Sequence, residues 1–436
     1  MYIYRERPSE LSPQTYYENA RYKISKYTLL YEYEDYKIAF TTLGNCCVIY
    51  KKEEERDLKK FFVENWFLVR ESLNDYEIGQ TLKTKIFERN TCELLPIITH
   101  YTIITTTDCN ARCYYCYEKN IKAEHLSENT AVDVANFIVK NYKQTPISIE
   151  WFGGEPLYNE NVIDIICGIL RENNIEFSST MISNGILFDE NKIDKYKNIW
   201  KLKRCQITLD GINDSYNKIK NYIYTDIDAF NIVLNNIDTL SKNGINVSVR
   251  LNLGLKNIDE LKSVIELIQE NNINCEYYVS NIYGLEITDA DKIFELRENI
   301  DAFIDQRNPL HLQQVTHGLS TCMLDNNRSI LINTNGKFNL CHRDVDKTEY
   351  VGDIYSSPES WDITLANEKK KFYNCEYCNN CIFYPTCLPF VVCTVAGSCS
   401  SRKIQYRENR FTKELSYILK QHVLSEKSKL NKEEDN

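Results

Sequence analysis

Three cysteines in one short loop carry the strongest chemical signal in the sequence. Cys109, Cys113 and Cys116 lie in the stretch TDCNARCYYCY, residues 107–117. Three thiolates at this spacing can ligate three irons of a four-iron cluster and leave one iron open for a small molecule, as a catalytic zinc keeps an open position. Structural zinc is the alternative, but it normally takes four ligands and this loop offers three cysteines. The spacing therefore favours a reactive iron–sulfur cluster.

A second group of cysteines follows later in the chain and could supply two further clusters. Its members are Cys322, Cys341, Cys375, Cys378, Cys381, Cys387, Cys393 and Cys399. Since four cysteines complete one cluster, this group would complete two. A zinc ribbon is the alternative, and it suits Cys378 and Cys381 alone. The scattered cysteines are predicted to be small buried apolar side chains, and they are Cys46, Cys47, Cys92, Cys167, Cys205 and Cys275.

Alternating strand-like and helix-like segments, from about Tyr101 to Ser280, predict the elements that position the first cysteines. Such alternation is typical of successive βα units and a parallel sheet. The predicted strands are Tyr101–Thr106, Ile147–Phe152, Phe177–Ile182, Cys205–Leu209, Val247–Leu251 and Cys275–Val279. Apolar periodicity predicts intervening helices that include Thr130–Tyr142, Ala229–Lys242 and Ile258–Glu270. The expected fold class is α/β, a partial (β/α)6 TIM-like barrel.

Residues able to bind or react follow five of these strands at their C-terminal ends. They are the cysteine loop after the first strand, Gly153-Gly154-Glu155 after the second, Ser183-Asn184-Gly185 after the third, Asp210-Gly211 after the fourth, and Arg250 and Asn252 at the fifth. In barrels of this kind the chemistry collects at that edge. We therefore expect one site there.

Taken together, these motifs resemble the radical S-adenosylmethionine (radical SAM) enzymes. The stretch WFGGEPL, residues 151–157, is similar to the family's Gly-Gly-Glu motif, in which backbone and carboxylate hold the amino group of the cofactor. The resemblance implies that Tyr115 lies near the adenine. Lys220 stands where the family often has arginine, and it keeps the charge but loses the forked geometry that binds a carboxylate. The other implied cofactor contacts are Gly153, Gly154, Glu155, Ser183, Asn184, Thr208 and Arg250.

The second cysteine group resembles the SPASM extension, which holds auxiliary iron–sulfur clusters in radical SAM enzymes that modify peptides. The match runs in order from Cys322 to Cys399, with five residues between Cys387 and Cys393 where relatives usually have three. The implied ligand sets are Cys322, Cys341 and Cys393 for one [4Fe-4S] cluster, and Cys378, Cys381, Cys387 and Cys399 for the other. Cys375 either completes the first set, or the first cluster keeps an open iron that could bind a substrate thiolate.

By this resemblance the chain is expected to be a peptide maturase. The first cluster would pass an electron into bound S-adenosylmethionine, and the resulting deoxyadenosyl radical would remove hydrogen from a carbon of a ribosomally made precursor peptide. Auxiliary clusters would then accept the electron left on the product or bind the substrate. This chemistry suits an intramolecular thioether or carbon–carbon crosslink. The expected partners are a precursor peptide with a leader and a reducing electron donor such as flavodoxin or ferredoxin.

Three residues are candidates for a catalytic role beyond the cofactor. His342 occupies the place of an aspartate proposed as the base in sulfatase-maturating relatives, and its alternative role is hydrogen bonding beside a cluster. Asp210 could orient ribose or substrate, or form a structural turn with Gly211. Cys375 could donate a hydrogen atom. The rival functions are formylglycine formation on a sulfatase, peptide epimerisation and, in another class, non-catalytic binding of zinc or peptide.

Residues 1–98 are predicted to form a small α+β domain. A hairpin of Tyr27–Tyr33 and Tyr36–Thr42, a strand at Cys47–Tyr50 and a helix through Arg56–Trp66 resemble the winged-helix-like domains that capture a leader peptide as an added strand. A packing domain without a ligand is the alternative. The further predicted domains are a barrel at 99–310, a SPASM domain at 311–410, and a C-terminal helix with a polar tail, solvated from about Ser425, at 411–436.

Composition narrows the class of protein. A formal net charge of −10 over 436 residues argues against general nucleic-acid binding, which needs concentrated Lys and Arg. No apolar run approaches the length of about 18 residues that spans a bilayer. Seventeen cysteines without a signal peptide indicate metal or redox chemistry in a reducing compartment. We expect a cytoplasmic protein that binds neither nucleic acid nor membrane.

Overall fold

A computed structural model describes residues 1–6, 11–91, 97–282, 290–308, 322–325, 328–344, 349–387 and 399–434. Cys92 and Cys393 lie outside the described residues. The chain divides into two compact units, of which the first comprises Met1–Cys92, Asp301–Thr321 and Lys371–Asn436, and the second Glu93–Ile300 and Cys322–Lys370. Within the described part of the chain, no helix has the length and apolar character that a membrane span requires.

The first unit begins with six antiparallel strands. They are β1 (Tyr2–Glu6), β2 (Tyr22–Ile24), β3 (Thr28–Tyr33), β4 (Tyr36–Thr41), β5 (Cys46–Lys51) and β6 (Leu68–Arg70). Four of them form a sheet in the order β1-β5-β4-β3, and β2 pairs with β6. Glu34 has a φ of +52° between β3 and β4, as the tight turn of a two-residue hairpin requires. The predicted hairpin is confirmed.

The helical prediction for the first unit is wrong in one place. Instead of one helix through Arg56–Trp66, Lys52–Arg56 form a separate 3₁₀ turn. The Glu54 carboxylate accepts the backbone N–H of Lys51 at 2.9 Å, which closes that turn on itself and separates it from the next helix. The helices of this segment are α1 (Lys59–Glu64) and α2 (Asp75–Thr91).

Six parallel strands form the centre of the second unit. They are β7 (His100–Thr106), β8 (Ile147–Gly153), β9 (Phe177–Ser183), β10 (Leu202–Thr208), β11 (Asn246–Leu253) and β12 (Glu276–Asn281). Neighbours along the chain are neighbours in the sheet, and every pair is parallel. All six predicted strands are confirmed, with ends that differ by a few residues. The fold class is α/β with a mostly parallel central sheet, as expected.

Helices connect these strands at the predicted places. They are α3 (Glu128–Asn141), α4 (Glu160–Glu172), α5 (Asn213–Lys220), α6 (Ala229–Lys242), α7 (Ile258–Glu270) and α8 (Ala290–Arg307). The start of α6 shows why the sequence fixes a boundary: the Asp228 side chain accepts the Asn231 N–H, which caps the helix, while Phe230 and Val233 are buried. Helices α6 and α7 have the predicted bounds.

Three short strands extend the parallel sheet beyond β7. They are β13 (Ser329–Ile332), β14 (Lys337–Asn339) and β15 (Gly352–Asp353). Strand β13 runs parallel to β7, and β14 and β15 continue antiparallel. Gly336, with a φ of +76°, makes the turn between β13 and β14. These strands lay outside the sequence prediction, and they attach Cys341 and His342 to the sheet.

A long helix returns the chain to the first unit. The last helices are α9 (Ile363–Lys369) and α10 (Ser401–Glu434). In the core of the first unit, Phe411 of α10 packs edge-on against Phe40, with ring centroids 4.7 Å apart. The predicted tail from about Ser425 is instead helical to Glu434, because Lys and Glu favour helices. A Lys429–Glu426 ion pair of 2.9 Å supports this turn.

Candidate functional site

A cavity of about 320 Å³ lies at the C-terminal ends of the parallel strands. Its volume is within the range of small-molecule sites. The predicted site residues that line it are Cys109, Cys113, Cys116, Tyr115, Gly153, Gly154, Ser183, Asn184, Thr208, Lys220, Arg250 and His342. Glu155 and Asp210 are fully buried behind the lining residues. The structure therefore brings together most of the residues that the sequence singled out.

Hydrogen bonds with amide and carboxylate groups hold the cysteine loop at the wall of the cavity. Asp108 accepts the backbone N–H of Cys109 at 2.8 Å, and the Asn184 side chain donates to Asn110 at 2.6 Å. Burial raises the pKa of Cys109 to about 12 and raises the pKa of Cys116 as well. These two thiols therefore keep their protons at neutral pH. Because a ligating cysteine must be a thiolate, iron binding would displace those protons.

The two glycines after β8 allow the backbone to pass directly behind the cysteine loop. A Cβ on Gly154 would lie 2.2 Å from the Asp108 carbonyl oxygen, and one on Gly153 would lie 2.0 Å from that of Thr106. Gly153 also has a φ of +133°, which L side chains rarely adopt. Both positions therefore require glycine, and their backbone is exposed to a ligand in the cavity.

Glu155 organises the wall of the cavity from behind. Its carboxylate accepts hydrogen bonds from Ser183 Oγ at 2.9 Å, the Asn184 N–H at 2.7 Å and the Leu157 N–H at 3.2 Å. Burial raises the pKa of Glu155 to about 7, against the effect of these hydrogen bonds. The predicted contact of Glu155 with the cofactor stays a prediction, and the structure shows that it positions Ser183 and Asn184.

A buried ion pair joins three predicted residues into one network. Lys220 Nζ lies 3.2 Å from the Asp210 carboxylate and 3.1 Å from the Tyr115 hydroxyl, and that hydroxyl donates to Asp210. Asp210 also accepts the Asn252 N–H at 2.9 Å. Burial opposes the charge on Lys220, but Asp210 and the neighbouring phenols outweigh burial and raise the pKa of Lys220 well above its usual value. Lys220 thus holds Tyr115 in place at the cavity.

Arg250 presents a positive charge to the cavity from β11. Its guanidinium donates to Asn252 at 2.9 Å and to Ser280 at 3.1 Å, both neutral partners. Among the described residues, no carboxylate forms an ion pair with it. Thr208 lines the same side of the cavity. These residues would suit a ligand with hydroxyl or carboxylate oxygens.

His342 lines the cavity from the segment that follows β14. Its Nε2 lies 2.7 Å from the Glu150 carboxylate, and its ring packs against Phe152 with centroids 4.5 Å apart. Glu150 and Phe152 are on β8, two residues apart, so they emerge on the same face. The carboxylate fixes which ring nitrogen faces the cavity.

Sequence reasoning missed several lining residues, and a simple signal could have found some of them. Gln206 lines the cavity together with Thr208. The Tyr278 hydroxyl donates a hydrogen bond to the Gln206 side-chain oxygen at 2.6 Å. Residues two apart on a strand lie on the same face of the sheet. The alternation of side chains along β10 therefore places Gln206 on the same face as Thr208. Glu150, the hydrogen-bond partner of His342, follows in the same way from Phe152. No such signal was available for Asn281, at the end of β12.

Five described cysteines of the second group gather within the first unit. The thiols of Cys375 and Cys378 are 3.7 Å apart, and Cys399 hydrogen-bonds to Cys375. Cys387 and Cys378 are close enough to Cys381 to influence its thiol, whose pKa burial raises. We call these five residues the clustered cysteines. Cys375 therefore lies with the predicted second ligand set.

The remaining predicted ligands are divided between the second unit and the undescribed segment. Cys322 and Cys341 belong to the second unit and are half-buried. Among the described residues, no three His, Cys, Asp or Glu side chains converge as one metal ion would require. A four-iron cluster spreads its ligand sulfurs over four irons, so it does not require such convergence.

Comparison with known proteins identifies part of the chain. Residues 103–291 match the family model of the radical SAM superfamily. The chain is 25% identical to Fe-coproporphyrin III synthase of Methanosarcina barkeri over 47% of this chain and 51% of that protein. It is 33% identical to GTP 3',8-cyclase of Clostridium perfringens over 41% and 54%, and 23% identical to the radical SAM cyclopropyl synthase TigE of Paramaledivibacter caminithermalis over 61% and 57%. The chain thus spans about half the length of these relatives.

Solved structures share the fold at low sequence identity. Native anSMEcpe with bound AdoMet, which is S-adenosylmethionine, superposes with a TM-score of 0.56 at 14% identity, covering 75% of this chain and 99% of that one. Native anSMEcpe with bound AdoMet and Cp18Cys peptide gives a TM-score of 0.54 at 14% identity, covering 75% and 98%. Residues 103–291 are therefore similar in sequence to the radical SAM superfamily, whose members use a [4Fe-4S] cluster and S-adenosylmethionine, and the solved structures share the fold.

Proposed function

We propose that the chain removes hydrogen from a ribosomally made precursor peptide and installs an intramolecular thioether or carbon–carbon crosslink. The observation that carries this proposal is the second gathering of cysteines, because a radical domain alone needs only the three in its own loop. Forming a crosslink removes two hydrogen atoms: the first is abstracted as an atom, and the second leaves as a proton and one electron when the bond forms. The clustered cysteines offer a site for an auxiliary cluster that accepts this electron.

The residues of the cavity would bind and orient the cofactor. Cys109, Cys113 and Cys116 would hold a [4Fe-4S] cluster with an open iron, and S-adenosylmethionine bound there supplies the radical that attacks the substrate. The glycine backbone behind the loop admits close approach of the cofactor. Glu155 holds the Ser183 and Asn184 groups towards it, and Arg250 offers a charge for its carboxylate that is unpaired among the described residues.

A peptide substrate is supported by the kinds of protein that share the fold. An anSMEcpe structure contains a bound peptide, and the relative TigE is a cyclopropyl synthase. The first unit also offers sheet edges at β1 and β3, where a leader peptide could add as a strand. We propose the winged-helix-like role for residues 1–98 on this basis, with a reduced flavodoxin or ferredoxin as the electron donor.

Formylglycine formation on a sulfatase is a second candidate function, and the position of His342 favours it. The imidazole lines the cavity and is oriented by Glu150, as a base acting on a substrate side chain would need to be. Epimerisation is a third outcome, with Cys375 as hydrogen donor. A non-catalytic zinc- or peptide-binding protein would contain zinc and would not cleave S-adenosylmethionine.

The test begins with anaerobic purification and analysis of iron, sulfide and zinc. Three four-iron clusters require about twelve irons per chain. Deoxyadenosine formation from S-adenosylmethionine and a reductant is then compared for the wild type, Cys113→Ala and the control Cys167→Ala, which changes a buried cysteine of α4. We expect deoxyadenosine formation by the wild type and Cys167→Ala, and none by Cys113→Ala. Zinc without cofactor cleavage in any of them would refute it.

Mass spectrometry of the precursor peptide separates the enzymatic alternatives. A crosslink lowers the peptide mass by two hydrogen atoms. Epimerisation leaves the mass unchanged in ordinary water and adds one deuterium in heavy water, because the returned hydrogen comes from an exchangeable donor. Conversion of a sulfatase peptide to its aldehyde would identify formylglycine formation instead.

A further inference from the structure

Lys83 of α2 is a buried cation beside the clustered cysteines. The residue is only 5% exposed, although Thr84 and Lys85 next to it are exposed. The ammonium lies 4.3 Å from the centroid of the Tyr384 ring and 3.5 Å from the Asn374 side-chain oxygen. The interior of the first unit therefore encloses this charge with neutral partners.

The described residues provide no carboxylate for Lys83. Burying an unpaired ammonium is costly, so such residues are rare unless an anion lies nearby. Burial lowers the pKa of Lys83, and the groups that oppose this effect are the thiols of four residues: Cys387, Cys378, Cys381 and Cys375. Neutral thiols would not balance the Lys83 charge, but four thiolates on an iron–sulfur core form an anion. The lysine is thus placed where a cluster would supply its countercharge.

Two further features of the same unit present positive charge to these cysteines. The guanidinium of Arg407 donates to the Cys387 sulfur at 3.7 Å while stacking over the Phe383 ring at 4.3 Å. Helix α10 begins at Ser401, directly after Cys399 and Ser400, so the positive end of its dipole faces that side of the group. Helix α2 and two parts of α10 therefore surround the clustered cysteines with positive charge.

We propose that Lys83, assisted by Arg407, raises the reduction potential of an iron–sulfur cluster held by the clustered cysteines. Reduction adds a negative charge to the cluster, and a buried cation attracts that charge more strongly than a solvent-exposed cation at the same distance would. This inference rests on the proposed function, because it requires an auxiliary cluster. It assigns to Lys83 the role of making that cluster a better electron acceptor.

A redox titration followed by electron paramagnetic resonance tests the role. The full chain carries Cys109→Ala, Cys113→Ala and Cys116→Ala, so that only auxiliary clusters give signals. Lys83→Met should lower the potential of one signal by at least about 59 mV, which is a tenfold change in a one-electron equilibrium. Lys83→Arg should retain the wild-type potential, and Lys85→Met, which removes an exposed charge from the same helix, should leave it unchanged.

Several outcomes would overturn the proposal, and they differ from failure of the proposed function. An unshifted potential in Lys83→Met with normal iron content refutes the role of Lys83, as does an equal shift in Lys85→Met. If Lys83→Met does not retain its cluster, the reduction potentials of Lys83→Gln and Arg407→Gln are measured instead. Unchanged reduction potentials in both variants would overturn the proposal. Absence of auxiliary iron from the wild-type chain would refute the auxiliary cluster itself, and iron analysis reports that separately.

Discussion

The two cysteine-bearing regions of this molecule are built differently. In the second unit, the three cysteines of the loop line a cavity of about 320 Å³ together with polar side chains and the charged Lys220 and Arg250. In the first unit, five cysteines gather beside a lysine that is buried without a carboxylate partner among the described residues. One region leaves room for a ligand beside its cysteines, and the other places positive charge around its thiols.

The contrast extends to the buried lysines. Lys220 in the second unit has an ion-pair partner, Asp210, at 3.2 Å, so its charge is balanced by the protein itself. Among the described residues, Lys83 has only neutral partners, and the negative charge of a bound cluster would balance its positive charge. The Lys220 charge is thus balanced without any ligand, whereas the Lys83 charge would be balanced only by a bound cluster. This difference is consistent with the two roles proposed above, a reaction site in the second unit and an electron-accepting cluster in the first.

Replacing one cysteine in each region should give the largest effects and separate their roles. Cys113→Ala should reduce deoxyadenosine formation to the level without enzyme, since it removes a ligand of the proposed reactive cluster. Cys378→Ala should retain deoxyadenosine formation but abolish the crosslinked peptide. The measurement is chromatography of deoxyadenosine together with mass spectrometry of the peptide. If Cys378→Ala still gives full crosslinking, the division of roles is wrong.

The buried lysines should respond oppositely in the metal-free chain. Lys220→Met leaves Asp210 buried and unpaired, so it should lower the free energy of unfolding by about 3–5 kcal/mol. Lys83→Met removes an unbalanced charge and should be neutral or stabilising in the absence of a cluster. Denaturant unfolding of the apoprotein measures both changes. The double variant Lys220→Met/Asp210→Leu is the control and should recover part of the loss.

Glu155 should make the apoprotein less stable as the pH rises. Its pKa is about 7 in the folded chain and 4.5 in a solvated reference. The folded state therefore holds a proton that the unfolded state releases, and the stabilisation present below pH 4.5 is lost as the pH rises to about 7. The expected decrease is roughly 1–3 kcal/mol between about pH 4.5 and 7.5. Denaturant unfolding at both pH values should show it, and Glu155→Gln should remove it.

The reaction site could be predicted from the sequence further than the rest of the molecule. Its residues follow successive strands, and parallel strands place their C-terminal ends at one edge, so topology alone brings Cys109, Ser183 and Arg250 together. What the sequence could not give is pairing between side chains. The Lys220–Asp210 contact depends on the path of α5 after β10, and no local pattern encodes that path.

The second cysteine region was harder to predict because its contacts are distant in sequence. Lys83 lies nearly 300 residues before the cysteines it approaches. The strands that attach His342 to the sheet were missed as well, since β14 and β15 are too short to show a period. The helical continuation to Glu434 was missed for another reason: polar composition suggested a solvated tail, whereas Lys and Glu are also good helix formers.

The smallest expected effect concerns the residue pair that connects β8 to the cavity. Glu150→Gln keeps a hydrogen-bonding group near His342 but removes the carboxylate that orients its ring. If His342 accepts a proton from the substrate, product formation should fall by about tenfold while deoxyadenosine formation persists, because proton transfer contributes of the order of 10²–10⁴ in rate. His342→Ala should lower product formation further, by about a hundredfold. If both variants lower deoxyadenosine formation and product equally, the pair supports the cavity wall and not a chemical step, and the crosslinking function would then rely on the auxiliary cluster alone.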